Sequence, residues 1–267
     1  MVSIRNAILV VIGCAVTAAS LASFHAARSS VAELHRSLEA IDNRTRKIDT
    51  ELSDASREVR LLSPYDLGNR RIEVRLFMIK SHLAQADRPI VFIGDSITEG
   101  ALLPSTICGR PVVNAGIGGI SAASHAAYHK VARELFVSLN ADLIVIALGT
   151  NDAAKHVRYD IRRDYEDLLQ MARQHAPKII AVGIPPIQNG GLTAYFDPNA
   201  AANIDRMIRD LAHENGAEFA DVRSAITSDD ATIDGVHLKP AGYKPWITTI
   251  EHAIARSLPC DALTLAQ

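Results

Sequence analysis

Residues 89–100 read Pro-Ile-Val-Phe-Ile-Gly-Asp-Ser-Ile-Thr-Glu-Gly. The apolar residues Ile90 to Ile93 run without interruption into a glycine, which predicts a short strand buried on both faces, as in a parallel sheet. Similar runs recur along the chain. Val112-Val113-Asn114 is a second strand, Asp142 to Leu148 a third, Lys178 to Ile184 a fourth and Ala217 to Ala220 a fifth. Helical periodicity fills the intervals over Ala122 to Leu139, Tyr159 to His175 and Asn199 to Asn215, with Gly216 at the stop of the last. A helix over Asn69 to Ala84 leads in, and another over Pro240 to Leu258 closes the pattern. Alternation of strand and helix predicts an α/β fold whose central parallel sheet is covered on both faces. In such sheets function gathers in the loops at the carboxyl ends of the strands.

Four of those loops carry chemistry. The first strand is followed by Gly94-Asp95-Ser96-Ile97-Thr98-Glu99-Gly100, and the second by Asn114-Ala115-Gly116-Ile117-Gly118-Gly119-Ile120-Ser121. Gly149-Thr150-Asn151-Asp152 follows the third strand, and Asp234-Gly235-Val236-His237 precedes the last helix. Each alone is weak, because a serine at a strand end is commonly a helix cap. Their agreement is what counts, since all four fall where a parallel sheet puts its active site. A serine becomes a nucleophile when a base takes its proton. His237 is the candidate base, and Asp234 can hold its tautomer and stabilise the imidazolium. An attacked carbonyl needs preorganised donors. The N–H of Ser96, the N–H of Gly119 and the side-chain amide of Asn151 are the candidates, with glycine at 119 admitting close approach to the backbone.

With these four blocks in order, GDS at 94–96, N-x-G-x-x-G at 114–119, G-x-N-D at 149–152 and D-x-x-H at 234–237, the sequence resembles the SGNH (GDSL-like) hydrolases. The resemblance spans residues 89 to 257. It implies a three-layer α/β/α sandwich of SGNH, flavodoxin-like type. It also implies Ser96 as nucleophile, Asp234 and His237 as its triad partners, and an oxyanion hole of Ser96, Gly119 and Asn151. Esters and thioesters would be hydrolysed without a metal or cofactor. Ile97 stands where the GDSL name has leucine.

Other readings fit less well. In Gly116 to Ser121 the final position of a G-x-G-x-x-G dinucleotide loop is serine, and no Walker A motif exists. Ser96 sits in G-x-S-x-T rather than the G-x-S-x-G elbow of α/β-hydrolases. His125 and His129 are spaced for one helix face, but no H-E-x-x-H accompanies them. Asp95 and Asp152 read as loop braces that accept from backbone N–H groups. The chain carries 28 basic against 30 acidic residues and only 5% aromatics, which argues against nucleic acid as a partner. Three cysteines exclude a disulfide-dense scaffold and a four-thiolate zinc site. Cys108 leads into the second strand and Cys260 follows the last helix, so both belong at the end of the sheet opposite the site. They are either unrelated thiols or, in an oxidising compartment with Cα atoms within about 7 Å, a disulfide.

The 267 residues hold more than this domain. No charged residue occurs between Arg5 and Arg28. As a helix this run covers about 33 Å, enough to cross a hydrocarbon core. Residues 1–28 therefore read as a membrane anchor, inserted through residues 7–24, or as a signal segment cleaved near Ala18 to Ser23. Val11-Ile12-Gly13-Cys14 resembles a lipoprotein box, but the apolar run continues well past the cysteine. Each reading places the catalytic domain outside the cytoplasm, anchored or, if residues 1–23 are removed, secreted. Residues 29–63 follow as a stalk. Val31, Leu34, Leu38, Ile41, Thr45, Ile48, Leu52, Ala55, Val59 and Leu62 alternate three and four apart, the a/d pattern of a coiled coil. Arg44 and Asp49 fall at g and the next e, where a parallel partner would pair them. This predicts a parallel homodimer through residues 31–62, the alternative being one amphipathic helix lying on its own domain. Ser63-Pro64 ends the stalk, and the hydrolase domain is expected over 64–267.

Two functions follow from this organisation. The first is a membrane-tethered serine esterase acting on a small ester or an acylated glycan or lipid. The second is a catalytically silent binding protein of the same fold that oligomerises through its stalk. The catalytic set Ser96, Asp234 and His237 favours the esterase. Acyl and leaving groups are expected to be selected by the loops Gly100 to Arg110 and Pro185 to Pro198.

Overall fold

The computed structural model describes residues 21, 23–51, 64–122, 139–155 and 161–260. The chain divides into two compact units, Met1–Asn69 and Arg70–Gln267. In the first, residues 23–51 form helix α1. Val31, Leu34, Leu38, Ile41 and Ile48, expected at a/d positions, lie exposed, while Arg46 pairs with Asp42 and Lys47 with Glu51 one turn away. The stalk positions beyond 51 and most of the expected membrane segment Ala7 to Phe24 lie outside the described residues. Among the described residues no helix is long and apolar enough to cross a membrane. Helix α2, Pro64–Gln85, starts earlier than the periodicity predicted. Proline is favoured at a first helical position because its missing N–H would be unpaired there in any case.

The second unit is built on a six-stranded sheet. Its strands are β1 Ile90–Gly94, β2 Thr106–Ile107, β3 Arg110–Gly116, β4 Leu143–Ala147, β5 Lys178–Val182 and β6 Glu218–Ala220, in spatial order β2-β3-β1-β4-β5-β6. The parallel strands taken in chain order read 2-1-3-4-5, the flavodoxin-like arrangement. The expectation of a wholly parallel sheet needs one correction. β2 is a two-residue edge strand, antiparallel to β3. Two residues are too few to show a period, so this strand cannot be read from the sequence.

Alternation within the strands makes the three layers. Ile90 and Phe92 of β1 face one apolar cluster, and Val91 and Ile93 face the other. The first cluster is completed by Val222 of the short helix α6 (Val222–Ala225) and by Trp246, Ile250 and Ile254 of the last helix, α7 (Pro240–Ser257). The second holds Leu76 and Ile79 of α2 with Leu168 and Leu169 of α4 (Arg162–Arg173) and Ile208 and Leu211 of α5 (Pro198–Glu214). Both faces of the sheet are thus covered. The helix expected over Ala122 to Leu139 lies outside the described residues for nearly all its length, as do His125 and His129.

At the amino end of the sheet, Cys108 and Cys260 are joined in a disulfide with Cα atoms 4.6 Å apart. Of the two readings left open by the sequence, the bonded one holds. Asp142 lies buried nearby between Arg88, at 2.5 Å, and Arg110. Burial alone would raise its pKa, but the two guanidiniums hold it below the ordinary carboxylate value.

Candidate active site

In a 2-1-3-4-5 sheet the order reverses beside the first strand, and a crevice opens where connections leave in opposite directions. Here that crevice lies between the carboxyl ends of β1 and β4. The β1 loop delivers Ser96, the first residue of the short helix α3 (Ser96–Glu99), and the β4 loop delivers Asn151, the first residue of a 3-10 turn. Ser96, Gly119, Asn151 and His237 line one pocket of about 360 Å³, together with Arg71, Glu99, Leu192 and Phe196.

Three side chains form a hydrogen-bonded line. Ser96 Oγ stands 2.9 Å from His237 Nε2, and His237 Nδ1 stands 2.7 Å from Asp234 Oδ2. The other Asp234 oxygen accepts the N–H of Val236 at 3.0 Å and of His237 at 2.9 Å. Burial alone would raise the Asp234 pKa, but these N–H groups and the imidazole hold it below the ordinary range. Asp234 is therefore an anion, suited to orienting an imidazole N–H and stabilising an imidazolium. The loop before it is a tight fit. A Cβ at Gly190 would stand 2.2 Å from the Asp234 carbonyl carbon, and Leu192 N–H donates to Asp234 O at 2.9 Å.

The turn that carries Ser96 is braced from several sides. Asp95 caps α3 by accepting from Ile97 N–H at 2.9 Å. Asn114 on β3 donates its amide to Thr98 O at 2.7 Å, and Tyr243 on α7 donates to Ile97 O at 2.8 Å. Asp152 accepts from Ala122 N–H at 2.8 Å. Asp95 and Asp152 are thus the backbone braces that their positions suggested. Asn151 donates one amide hydrogen to Ile120 O at 2.7 Å, which leaves the second free to point elsewhere. Gly119 has φ +83° with nothing within 4 Å of where a Cβ would stand, so its backbone is open to the pocket.

Asp95 is almost wholly buried. Burial raises its pKa from 3.8 to about 7, against the opposing pull of the Ile97 N–H and of His237. A folded-state pKa above the unfolded one contributes stability that is present below 3.8 and lost as pH rises through about 7. Asp95→Asn removes this linkage. The difference in Tm between wild type and Asp95→Asn, measured by calorimetry from pH 4 to pH 8, should move against the wild type as pH rises. A constant difference would show that Asp95 does not titrate in this window.

The geometry brings together every residue singled out for catalysis. Sequence reasoning missed two pocket residues, Glu99 and Arg71. Glu99 lies in the Gly94 to Gly100 loop, where its position in the sequence implies no role. Arg71 lay on a helix thought to be only a lead-in. Phe196 and Leu192 belong to the Pro185 to Pro198 loop, expected to govern specificity. Gly100 to Arg110, given the same role, contributes none of the described pocket residues, because it runs away from the site to form β2. Among the described residues no cluster of metal-binding side chains occurs.

Residues 92–244 match the model of the GDSL-like lipase/acylhydrolase family. No curated protein matches the chain. Among solved structures, a Streptococcus pneumonia protein provisionally named a platelet activating factor is 25% identical, with a TM-score of 0.59 over 74% of this chain and 98% of its own. An aryl esterase of M. Smegmatis is 20% identical, with a TM-score of 0.55 over 64% of this chain and 100% of its own. Est24, a carbohydrate acetylesterase from Sinorhizobium meliloti, is 19% identical, with a TM-score of 0.53 over 64% of this chain and 99% of its own. The chain belongs to the GDSL-like lipase/acylhydrolase family and is an ester-hydrolysing enzyme.

Proposed function

We propose that the enzyme hydrolyses carboxylic esters or thioesters by covalent catalysis at Ser96. The observation that carries this reading is the unbroken hydrogen-bonded line from Asp234 through His237 to Ser96 Oγ. His237 Nε2 takes the Oγ proton as the Oγ–C bond forms, and the carbonyl electron pair moves onto oxygen. The N–H groups of Ser96 and Gly119 and the Asn151 amide stabilise that oxyanion. As the tetrahedral species collapses, the bond to the leaving oxygen or sulfur breaks and His237 returns the proton to it. Water, deprotonated by His237, then attacks the acyl-serine; the bond between the acyl carbon and Oγ breaks, His237 returns the proton to Oγ, and the acid leaves. Residues 64–267 should hydrolyse a short-chain p-nitrophenyl ester. A folded preparation without such activity would favour a silent binding protein. An acyl-length series on the same chromophore then separates acetyl-type substrates, as on glycans, from lysophospholipid-type ones.

We further propose that this domain works outside the cytoplasm, carried on a membrane-anchored or secreted chain. The Cys108–Cys260 disulfide supports an oxidising compartment. The stalk is proposed to pair two copies in parallel through residues 31–62. Support comes from the exposed row Val31, Leu34, Leu38, Ile41 and Ile48, which in water favours burial against a like surface. Sedimentation of residues 29–267 should give a dimer and of residues 64–267 an active monomer. Two monomers at micromolar concentration would mean that the stripe is not a dimer seam.

A further inference from the structure

Helix α2 precedes the matched region, yet its arginines reach the loop that carries Gly119. Residues 117–120 form a tight turn, in which Ile120 N–H donates to Ile117 O at 3.4 Å. The φ of +83° at Gly119 marks its type II form. Types I and II differ by a rotation of the central peptide of about half a turn. That central peptide is made of the Gly118 carbonyl and the Gly119 N–H. In a planar trans peptide the two point in opposite directions, so whatever holds the carbonyl aims the N–H. With glycine on both sides, no Cβ opposes the flip. The direction of a catalytic donor is therefore left open by the local sequence.

Arg71 closes that freedom. Its Nη2 donates to Gly118 O at 2.9 Å. The same guanidinium meets the Glu99 carboxylate, with Nη1 at 3.3 Å from Oε1 and 3.2 Å from Oε2. Glu99 in turn accepts the Gly118 N–H. Glu99 is the last residue of α3, the helix that opens with Ser96. One ion pair thus joins the nucleophile helix to both backbone groups of Gly118. One turn along α2, Arg75 donates to Gly116 O and Asn114 O at 2.9 Å each and to Asn114 Oδ1 at 3.0 Å. The base of the turn has no room to shift, since a Cβ at Gly116 would stand 2.3 Å from Glu99 N.

Resting on the reading of Ser96 as nucleophile and Gly119 N–H as oxyanion donor, we propose that Arg71 is the positioning residue of the oxyanion hole. It holds the Gly118 carbonyl, and so keeps the Gly119 N–H turned toward the pocket. A cation on the carbonyl oxygen also polarises the peptide and strengthens its N–H as a donor. Glu99 aims the guanidinium. Arg75 anchors the loop's base.

The test uses the full chain, with Arg71→Ala, Arg71→Lys and Ser96→Ala measured beside wild type. The readouts are kcat and KM on a p-nitrophenyl ester, Kd for an alkylboronic acid, and Tm. A boronate on Ser96 places a negative oxygen where the oxyanion forms, so its affinity reads the donor directly. Arg71→Ala should lower kcat by about 10- to 50-fold with KM within about twofold, and weaken boronate binding by a similar factor. Arg71→Lys should fall between, because one ammonium lacks the fork that serves Glu99 and Gly118 O together. A merely structural role would lower Tm and the active fraction but leave the boronate Kd of the folded fraction unchanged, and would overturn the proposal. A loss confined to KM would make Arg71 a substrate contact and overturn it too, as would wild-type kcat in Arg71→Ala. In each case an inactive Ser96→Ala leaves the nucleophile assignment standing. Wild-type turnover in Ser96→Ala would overturn that assignment and this proposal with it. Should Arg71→Ala not fold, Arg71→Lys carries the same comparison.

Discussion

Ser96→Ala is expected to remove ester hydrolysis, by roughly 10⁴-fold or more, while Tm stays near the wild-type value. The variant loses one oxygen, at a site where its partner His237 is reached by solvent and can re-hydrate. The braces of the turn do not involve that oxygen: Ile97 N–H still bonds Asp95, and Ile97 O still accepts from Tyr243. Asp234→Asn separates orientation from packing. An asparagine carbonyl can still accept the Val236 and His237 N–H groups now held by Oδ1. Its NH₂ would then face His237 Nδ1, where Oδ2 stands at 2.7 Å, and would force the proton onto Nε2. The imidazole could no longer accept from Ser96, so a folded enzyme should lose about 10⁴-fold in kcat. Both variants keep the pocket, so initial rates with a p-nitrophenyl ester, read against Tm, decide. Near wild-type turnover in Ser96→Ala would sink the nucleophile assignment.

Asn151→Ala is expected to lower kcat by roughly 10²–10³ with little change in KM, equivalent to about 3–4 kcal/mol of transition-state stabilisation. The amide has two hydrogens. One is committed to Ile120 O at 2.7 Å, which fixes the plane of the side chain and so the direction of the other. The second has its largest effect when charge develops on the substrate oxygen, so ground-state binding should barely register its loss. Alanine also releases Ile120, one residue beyond Gly119, so part of the loss reflects a looser turn. Asn151→Asp keeps the size of the side chain but puts an acceptor and a negative charge beside the oxyanion, and should be at least as damaging. Steady-state kinetics of both variants provide the check. A change confined to KM would assign Asn151 to substrate binding alone.

The five parallel strands were legible because burial on both faces demands unbroken apolar runs, and Ile90 to Ile93 or Leu143 to Ile146 have no other economical reading. The candidate catalytic residues were legible for a related reason. A parallel sheet gathers the carboxyl ends of its strands, so Ser96, Gly119, Asn151 and His237 could be grouped from chain order before any distance was known. Asp234 followed from its spacing to His237. Arg75 left a faint trace, a cation among Ile72, Leu76 and Ile79 on the inward stripe of α2, and Arg71 left none, since an arginine on an outer helix face is ordinary.

The sequence by itself determined the strand and helix alternation, the family and the identity of the line from Asp234 to Ser96, because each rests on local periodicity or short spacing. Only the tertiary structure decided the rest. The bond between Cys108 and Cys260 spans 152 residues. The pKa of Asp95 is set by how completely the core closes over it. The hold of Arg71 on Gly118 joins positions 47 residues apart. These depend on distances that no pattern along the chain encodes, and for Gly119 that matters most: two glycines permit either orientation of the peptide between them, and the choice is made by a guanidinium arriving from another element.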